Sequence, residues 1–209
     1  YSKEGQPFDT YHYVNFIAEI PSTTVELILA EYMAKNAETP RDRLYYLGYS
    51  LEALRGTLFR QTMFAEFELQ LYETVERGEG LTGERMSEMY GEILKRYHGH
   101  DEGVVEIDEL YHNEWMMIYH FYKERPMEVY QYATAQTAGT ALYGAILDDK
   151  EVGTTLFKDL LRAGDSDYPY NLLVKAGVDL SDSAPYQAAI RRMDAIMDEI
   201  EQIIEDEGL

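Results

Sequence analysis

Residues 12–31, HYVNFIAEIPSTTVELILAE, are the stretch whose reading decides the fold. At about 100° per residue, Tyr13, Phe16, Ile17, Ile20, Thr24, Leu27 and Ile28 fall on one broad apolar face, the pattern of a packed helix. His12, Glu19 and Glu26 follow one another at intervals of seven and so stack in a stripe along one edge of that face. Pro21 interrupts the run. It lacks an amide donor and its ring clashes with the carbonyl four residues back, that of Ile17, so a kink is expected here. A carboxylate beside a kink at the margin of a buried face has two readings. It is a solvated or ion-paired surface Glu, the ordinary state of helical Glu, or it is a group built into a site. Spacing alone leaves both open.

Moving outward, Asn36–Pro40 breaks the chain, with Thr39 placed to cap and Pro40 to open the next helix. From Arg41 to about Val75, Leu44, Leu47, Leu51, Leu54 and Leu58 keep a heptad-like rhythm that Ala65, Leu69 and Tyr72 continue. The pattern predicts a single long helix that is architecture rather than site. Gly78-Glu79-Gly80 ends it. Thr82 caps a helix bearing Met86, Met89, Tyr90, Ile93 and Leu94, which stops before Gly99. His98, His100 and Asp101 lie in the following loop without the turn-fixed spacing that preorganises a metal site.

A helix is expected from about Asp108 through Trp115 and Tyr119, interrupted at Arg125-Pro126, and another from near Met127 past Leu142. Shorter helices at Val152–Arg162 and Tyr170–Ala176 are followed by Gly164 and Gly177, suited to left-handed caps. A last helix from near Ser183 shows Tyr186, Ile190, Met193, Met197, Ile200 and Ile204 on one side and an acidic face on the other. With no convincing strand, repeat or Gly-rich phosphate loop, the chain reads as all-α, a multi-helix bundle.

Composition narrows the chemistry. The 209 residues include no Cys, which removes disulfides, thiolate ligands and thiol nucleophiles. A net charge of −21 argues against nucleic acid and anionic membranes as partners, and no apolar run approaches the ~18 residues of a membrane span. No secretory signal is present, and a cytoplasmic location is expected. The polar opening YSKEGQPFD reads as a loop already in progress, so a C-terminal piece of a longer protein, or a processed chain, is expected. Two segments, Tyr119-His120-Phe121-Tyr122 and Tyr130-Gln131-Tyr132-Ala133-Thr134, concentrate groups able to donate protons to an oxyanion. Half-buried aromatic packing is the ordinary explanation in a chain with 19 Tyr.

The opening Tyr1-Ser2, the run Gln6-Pro7-Phe8, Phe16-Ile17-Ala18-Glu19-Ile20-Pro21-Ser22-Thr23, Arg55–Phe67 (RGTLFRQTMFAEF), Val129–Thr134 (VYQYAT) and Leu172–Leu180 (LLVKAGVDL) resemble the oligoendopeptidase F and thimet oligopeptidase family of zinc metallopeptidases. The similarity covers nearly the whole chain in order, and the oligoendopeptidase F branch fits best. The resemblance implies the all-helical C-terminal part of a zincin-type catalytic domain, residues 1–209, that hydrolyses short peptides. It also implies one zinc ion held by two His of an H-E-x-x-H helix and by a Glu on the next helix.

Glu19 matches that third ligand, and Glu26 a second acidic position of the family. At 1.5 Å per residue the two are about 10 Å apart along the axis, so both cannot hold one ion directly, and Glu26 is left as supporting or charge-balancing. His120, Tyr130 and Tyr132 match the His/Tyr segment that binds substrate and stabilises the tetrahedral intermediate, with Tyr132 the first choice as oxyanion donor. Two departures stand out. No H-E-x-x-H occurs anywhere in the chain, so two His ligands and the general base are expected upstream. Residues 124–128 also replace a shorter, more aromatic stretch, which loosens the alignment of His120. The partners implied are short peptides and the N-terminal part of the same enzyme. The competing reading is a non-catalytic helical binding or scaffolding module lacking the H-E-x-x-H half.

Overall fold

The computed structural model describes residues 1–122 and 126–208, so the expected Arg125-Pro126 interruption and the divergent 124–128 stretch lie partly outside the described residues. The elements in chain order are α1 (Ser2–Gly5), α2 (Asn15–Ala18), α3 (Ile20–Lys35), α4 (Pro40–Leu54), a π-helical turn (Arg55–Phe59), α5 (Arg60–Glu76) and α6 (Gly83–His98). Two 3₁₀ helices (Glu109–Met117, Tyr119–Tyr122) follow, then α7 (Tyr130–Asp148), α8 (Lys150–Ala163), α9 (Pro169–Lys175) and α10 (Ala184–Glu207). Among the described residues there is no strand, as the all-α reading expected. The chain forms two compact units: Tyr1–Leu58 together with the chain from Gln131 onward, and Phe59–Tyr130.

In the first unit the predicted apolar face of the 12–31 stretch is buried, but the helix is broken rather than kinked. Glu19 separates α2 from α3, and Pro21 sits in the first turn of α3, where its missing amide costs nothing. Ile17 and Ile20 are fully buried with Ala135, Ala138 and Leu142 of α7, Phe157 and Leu160 of α8, and Leu173 of α9. A side chain of this size contributes roughly 1.5–3 kcal/mol when fully buried. A second cluster joins Ala34 of α3, Leu47 and Leu54 of α4 and Ile196 of α10.

The face that α10 buries differs from the expected one. Ala189 and Ile196 are buried and Met193, Ile200 and Ile203 pack beside them, while Tyr186, Ile190, Met197 and Ile204 stay exposed. Two ion pairs flank the buried face: Arg192 pairs with Glu31 of α3, and Arg43 Nε of α4 donates to Glu199 at 2.6 Å. Gly164 ends α8 at φ +54° and ψ −128°, not in the left-handed helical cap its position suggested. A Cβ there would meet the Thr10 carbonyl at 2.2 Å, so close backbone approach fixes this glycine.

In the second unit the apolar rhythm predicted for residues 65–72 is also displaced. Met63, Phe64, Phe67 and Glu68 are buried, whereas Leu69 and Tyr72 are exposed. The π turn at Arg55–Phe59 explains it, because a turn with one extra residue rotates everything after it by about 100°. The core here is aromatic. Phe67 meets Tyr90 at 5.2 Å and Phe121 at 5.3 Å, both edge-on, and Trp115 at 6.4 Å.

The α-helix expected from Asp108 is wound as 3₁₀. Three consecutive residues there are bound to neighbouring helices: Asn113 accepts from Ser87 at 2.7 Å, Glu114 accepts from Tyr90 at 2.5 Å, and Trp115 donates to Ser87 at 3.0 Å. Arg60 also pairs with Glu114. Tertiary bonds of this number outweigh the small intrinsic preference between windings.

One tight contact in the first unit gives a test. A Cβ on Gly153 of α8 would lie 2.4 Å from the Ile146 nitrogen and 2.5 Å from the Ala145 carbonyl carbon, both backbone of α7. Gly153→Ala is expected to destabilise this unit by roughly 1–3 kcal/mol or more, because only a shift of whole helices relieves the clash. Denaturant unfolding measures it, and an unchanged midpoint would contradict the packing described.

Candidate active site

Glu19 occupies the break between α2 and α3 in a half-buried position. Its backbone carbonyl accepts from the Thr23 amide at 3.2 Å, and Ser22 Oγ lies 2.9 Å from that carbonyl and 3.2 Å from the Glu19 carboxylate. Among the described residues the carboxylate forms no ion pair. Along the same stripe His12 and Glu26 are exposed. Glu26 lines a small cavity with Thr23, Gln136 and Arg192, which puts a cation near it.

Thr23 is the link between this turn and α7. Its buried hydroxyl is 3.0 Å from the Glu19 carbonyl, 3.0 Å from that of Ile20 and 3.1 Å from that of Ala135. A Cβ on Gly139 would lie 2.8 Å from that hydroxyl and 3.2 Å from the Thr24 nitrogen, so glycine permits the close approach of α7 to α3. Glu19 lies four residues before Thr23, and Tyr132 three before Ala135. Each is therefore about one helical turn, some 5.4 Å of rise, from the same contact. Tyr132 is half-buried in the first turn of α7.

His120 and Tyr130 belong to the second unit. His120 is half-buried on the short 3₁₀ turn beside Tyr119, and Tyr130 is 40% exposed at the first residue of α7. Each adjoins an anchor in the same aromatic core. Phe121 packs edge-on against Phe64 and Phe67, at 5.9 Å and 5.3 Å, and Val129 is fully buried among them. One cluster thus fixes both segments.

The expected loop histidines are occupied structurally. His98 Nδ1 lies 2.9 Å from the Leu94 carbonyl, and His100 Nδ1 accepts from the Ile107 amide at 2.9 Å. Among the described residues no three His, Asp or Glu side chains gather as metal ligands. Glu19 offers a single carboxylate there, with no complete ligand set around it among the described residues.

Sequence reading passed over Glu68 of α5. Its carboxylate is 4% exposed and accepts from the Met127 amide at 2.8 Å and from the Val129 amide. Burial pushes its pKa above the ordinary carboxylate value, the two amides pull it down, and the charge of Glu128 raises it again. No local signal marked it: Glu68 follows Phe64 by four residues, but the π turn at Arg55–Phe59 is what turns that face into the core.

The chain matches Peptidase family M3 over residues 1–192. It is 41% identical over 204 residues, 98% of its length, to oligopeptidase PepF of Bacillus subtilis (strain 168). It superposes on the crystal structure of oligoendopeptidase-F from Enterococcus faecium with a TM-score of 0.81 and 38% identity, covering 93% of this chain and 36% of that one. Against a putative peptidase from Chlamydophila abortus the TM-score is 0.86 at 32% identity, covering 97% and 33%. The chain belongs to peptidase family M3. It spans about a third of the length of the relatives it matches.

Thr23→Val keeps the shape but removes the hydroxyl shared by Glu19, Ile20 and Ala135. It is expected to cost about 1 kcal/mol, with Thr23→Ser recovering most of it. Chemical denaturation of the three proteins decides this, and equal stability of all three would mean that the hydroxyl does not tie α3 to α7.

Proposed function

We propose that this chain is the C-terminal helical part of a zinc-dependent oligoendopeptidase acting on short peptides in the cytoplasm. What supports the reading is that Glu19, half-buried and without an ion pair among the described residues, and Tyr132 each lie about one helical turn before a residue of the Thr23–Ala135 contact. In this reading Glu19 is the third zinc ligand. Two His and a general-base Glu of an H-E-x-x-H segment, absent from these 209 residues, come from the remainder of the protein. When bound, zinc supplies Lewis acidity toward water and the scissile carbonyl.

The residues of this chain do the rest of the work. Ser22, bonded to the Glu19 carboxylate, orients the ligand, as an outer partner of a metal-binding carboxylate does. Tyr132 donates its phenolic hydrogen to the oxygen that becomes negative as the carbonyl carbon turns tetrahedral. His120 and Tyr130 hold the peptide. The remainder of the enzyme is the macromolecular partner, and α3 offers it an exposed apolar stripe of Val25, Leu29 and Tyr32 beside the Glu19–Glu26 edge.

In the complete enzyme Tyr132→Phe retains the ring, so folding is expected to be nearly unchanged. kcat falls by roughly 10²–10³, as for loss of one preorganised donor, while KM moves little because the bond is strongest in the transition state. Steady-state kinetics test it, and an unchanged kcat would return Tyr132 to ordinary packing and pass the donor role to Tyr130 or His120.

Glu19→Ala is expected to lose activity through loss of zinc, with excess metal restoring part of it. The isolated 209-residue chain, with one ligand, is expected neither to retain stoichiometric zinc nor to cleave a quenched peptide. Elemental analysis and a fluorescence assay check both, and stoichiometric zinc with cleavage by these residues alone would refute the shared-ligand reading.

A further inference from the structure

The segment leading into α7 carries two features that local sequence does not account for. Met127 adopts φ +55°, the only positive φ at a non-glycine among the described residues, a conformation that side chains with a Cβ disfavour and that surroundings must impose. The imposing group is on another helix. Glu68 of α5 reaches from the aromatic core, 4% exposed, and accepts hydrogen bonds from the amides of Met127 and Val129. Val129 is itself fully buried in that core, and the next residue is Tyr130. Two backbone amides and one buried side chain thus clamp the three residues before Tyr130.

A carboxylate is a costly group to bury, and it persists where its acceptor capacity is used. Here it replaces the pairing that the 127–129 backbone cannot supply for itself while irregular. The site reading makes sense of that cost, because an oxyanion donor or substrate-binding phenol works only if it is held in place before the substrate arrives.

We propose that Glu68 is a positioning residue: by binding the Met127 and Val129 amides it fixes the conformation of the 127–129 segment, and through it the orientation of Tyr130 and the start of the helix bearing Tyr132. This rests on the assignment of Tyr130 and Tyr132 to the peptidase site. Glu68 touches neither substrate nor metal in this arrangement, and its effect passes through the backbone.

The test uses the complete enzyme and three proteins, wild type, Glu68→Gln and Glu68→Leu, with two readouts. Hydrogen exchange reports protection of the Met127 and Val129 amides, and steady-state kinetics report kcat and KM separately. Charge-assisted bonds are about twice as strong as neutral ones, so protection is expected to fall in the order wild type, Gln, Leu. kcat is expected to follow the same order, dropping roughly 10²-fold in Glu68→Leu, as a misplacement near 1 Å can, and only a few-fold in Glu68→Gln, with KM nearly constant.

Should Glu68→Leu fail to fold, the comparison of wild type with Glu68→Gln decides on the same readouts. Unchanged amide protection overturns the clamp. Lost protection with unchanged kcat overturns the positioning role. Tyr130→Phe and Tyr132→Phe are measured alongside. If those leave kcat intact while the Glu68 variants lose amide protection, the site assignment has failed, and the catalytic consequence of the clamp is overturned with it.

Discussion

Within the first unit α7 approaches α3 closely at Gly139 and Thr23, and the geometry around Glu19 depends on that approach. A glycine on one helix and a short β-branched hydroxyl on the other bring the backbones near enough for a Thr side chain to bond across, at 3.1 Å to the Ala135 carbonyl. The same hydroxyl also lies 3.0 Å from the carbonyls of Glu19 and Ile20 at the start of α3, the first of which accepts the Thr23 amide as well. The break, the crossing and the placement of Glu19 are therefore one arrangement. Ile17 and Ile20 supply the hydrophobic force behind it, buried with Ala135 and Ala138, whose small side chains keep the interface thin.

Sequence patterns disclosed those features that depend on local chemistry. The apolar face of residues 12–31, the Thr39 and Thr82 caps and the end of α6 at Gly99 all follow from short-range rules, and both caps accept the amide three residues on. What stayed hidden depends on other parts of the chain. The π turn at Arg55–Phe59 has no proline or glycine pair to announce it beyond Gly56, yet it rotates α5 and exchanges Leu69 and Tyr72 for Phe64, Phe67 and Glu68 in the core. The 3₁₀ winding at Glu109–Met117 depends on bonds to Ser87, Tyr90 and Arg60, none of them near in sequence. The face that α10 buries likewise depends on its packing against α3 and α4, distant in sequence. Glu19 and Tyr132 are singled out by the family resemblance; spacing and composition alone leave an ordinary surface Glu and an ordinary packed phenol as the default readings. Glu68 is not singled out by either, because a Glu among aromatics reads as surface until the partner amides are known.

Buried hydroxyls of this chain mostly bond the carbonyl one turn back in their own helix, as Thr24, Thr74 and Thr140 do. Other buried or half-buried polar groups find partners on neighbouring elements. Tyr90, fully buried, donates to Glu114 at 2.5 Å, and burial together with that carboxylate pushes its pKa far above the usual phenol value. Glu31 is held below the ordinary carboxylate range by Lys35 and Arg192, against the opposing cost of burial. Such groups are neutralised within the chain, and their chemistry is spent on folding.

Charge balance makes the position of Glu19 more informative than its lack of a cation. With 39 acidic and 18 basic side chains, at least 21 carboxylates must go without an internal counter-ion whatever the fold. An unpaired Glu is therefore the common condition here, and by itself it selects nothing. Most such carboxylates can be solvated at little cost on exposed helix faces, as Glu26 is one turn pair further along α3. Glu19 gives up part of that solvation by sitting half-buried at a helix break, with only the Ser22 hydroxyl in return. One neutral donor leaves part of the acceptor capacity of this carboxylate unused. The same reasoning applied to Glu68 gives the opposite result: two backbone amides already compensate its burial, so it has little left to offer a metal or a substrate, and its influence runs through the backbone it holds.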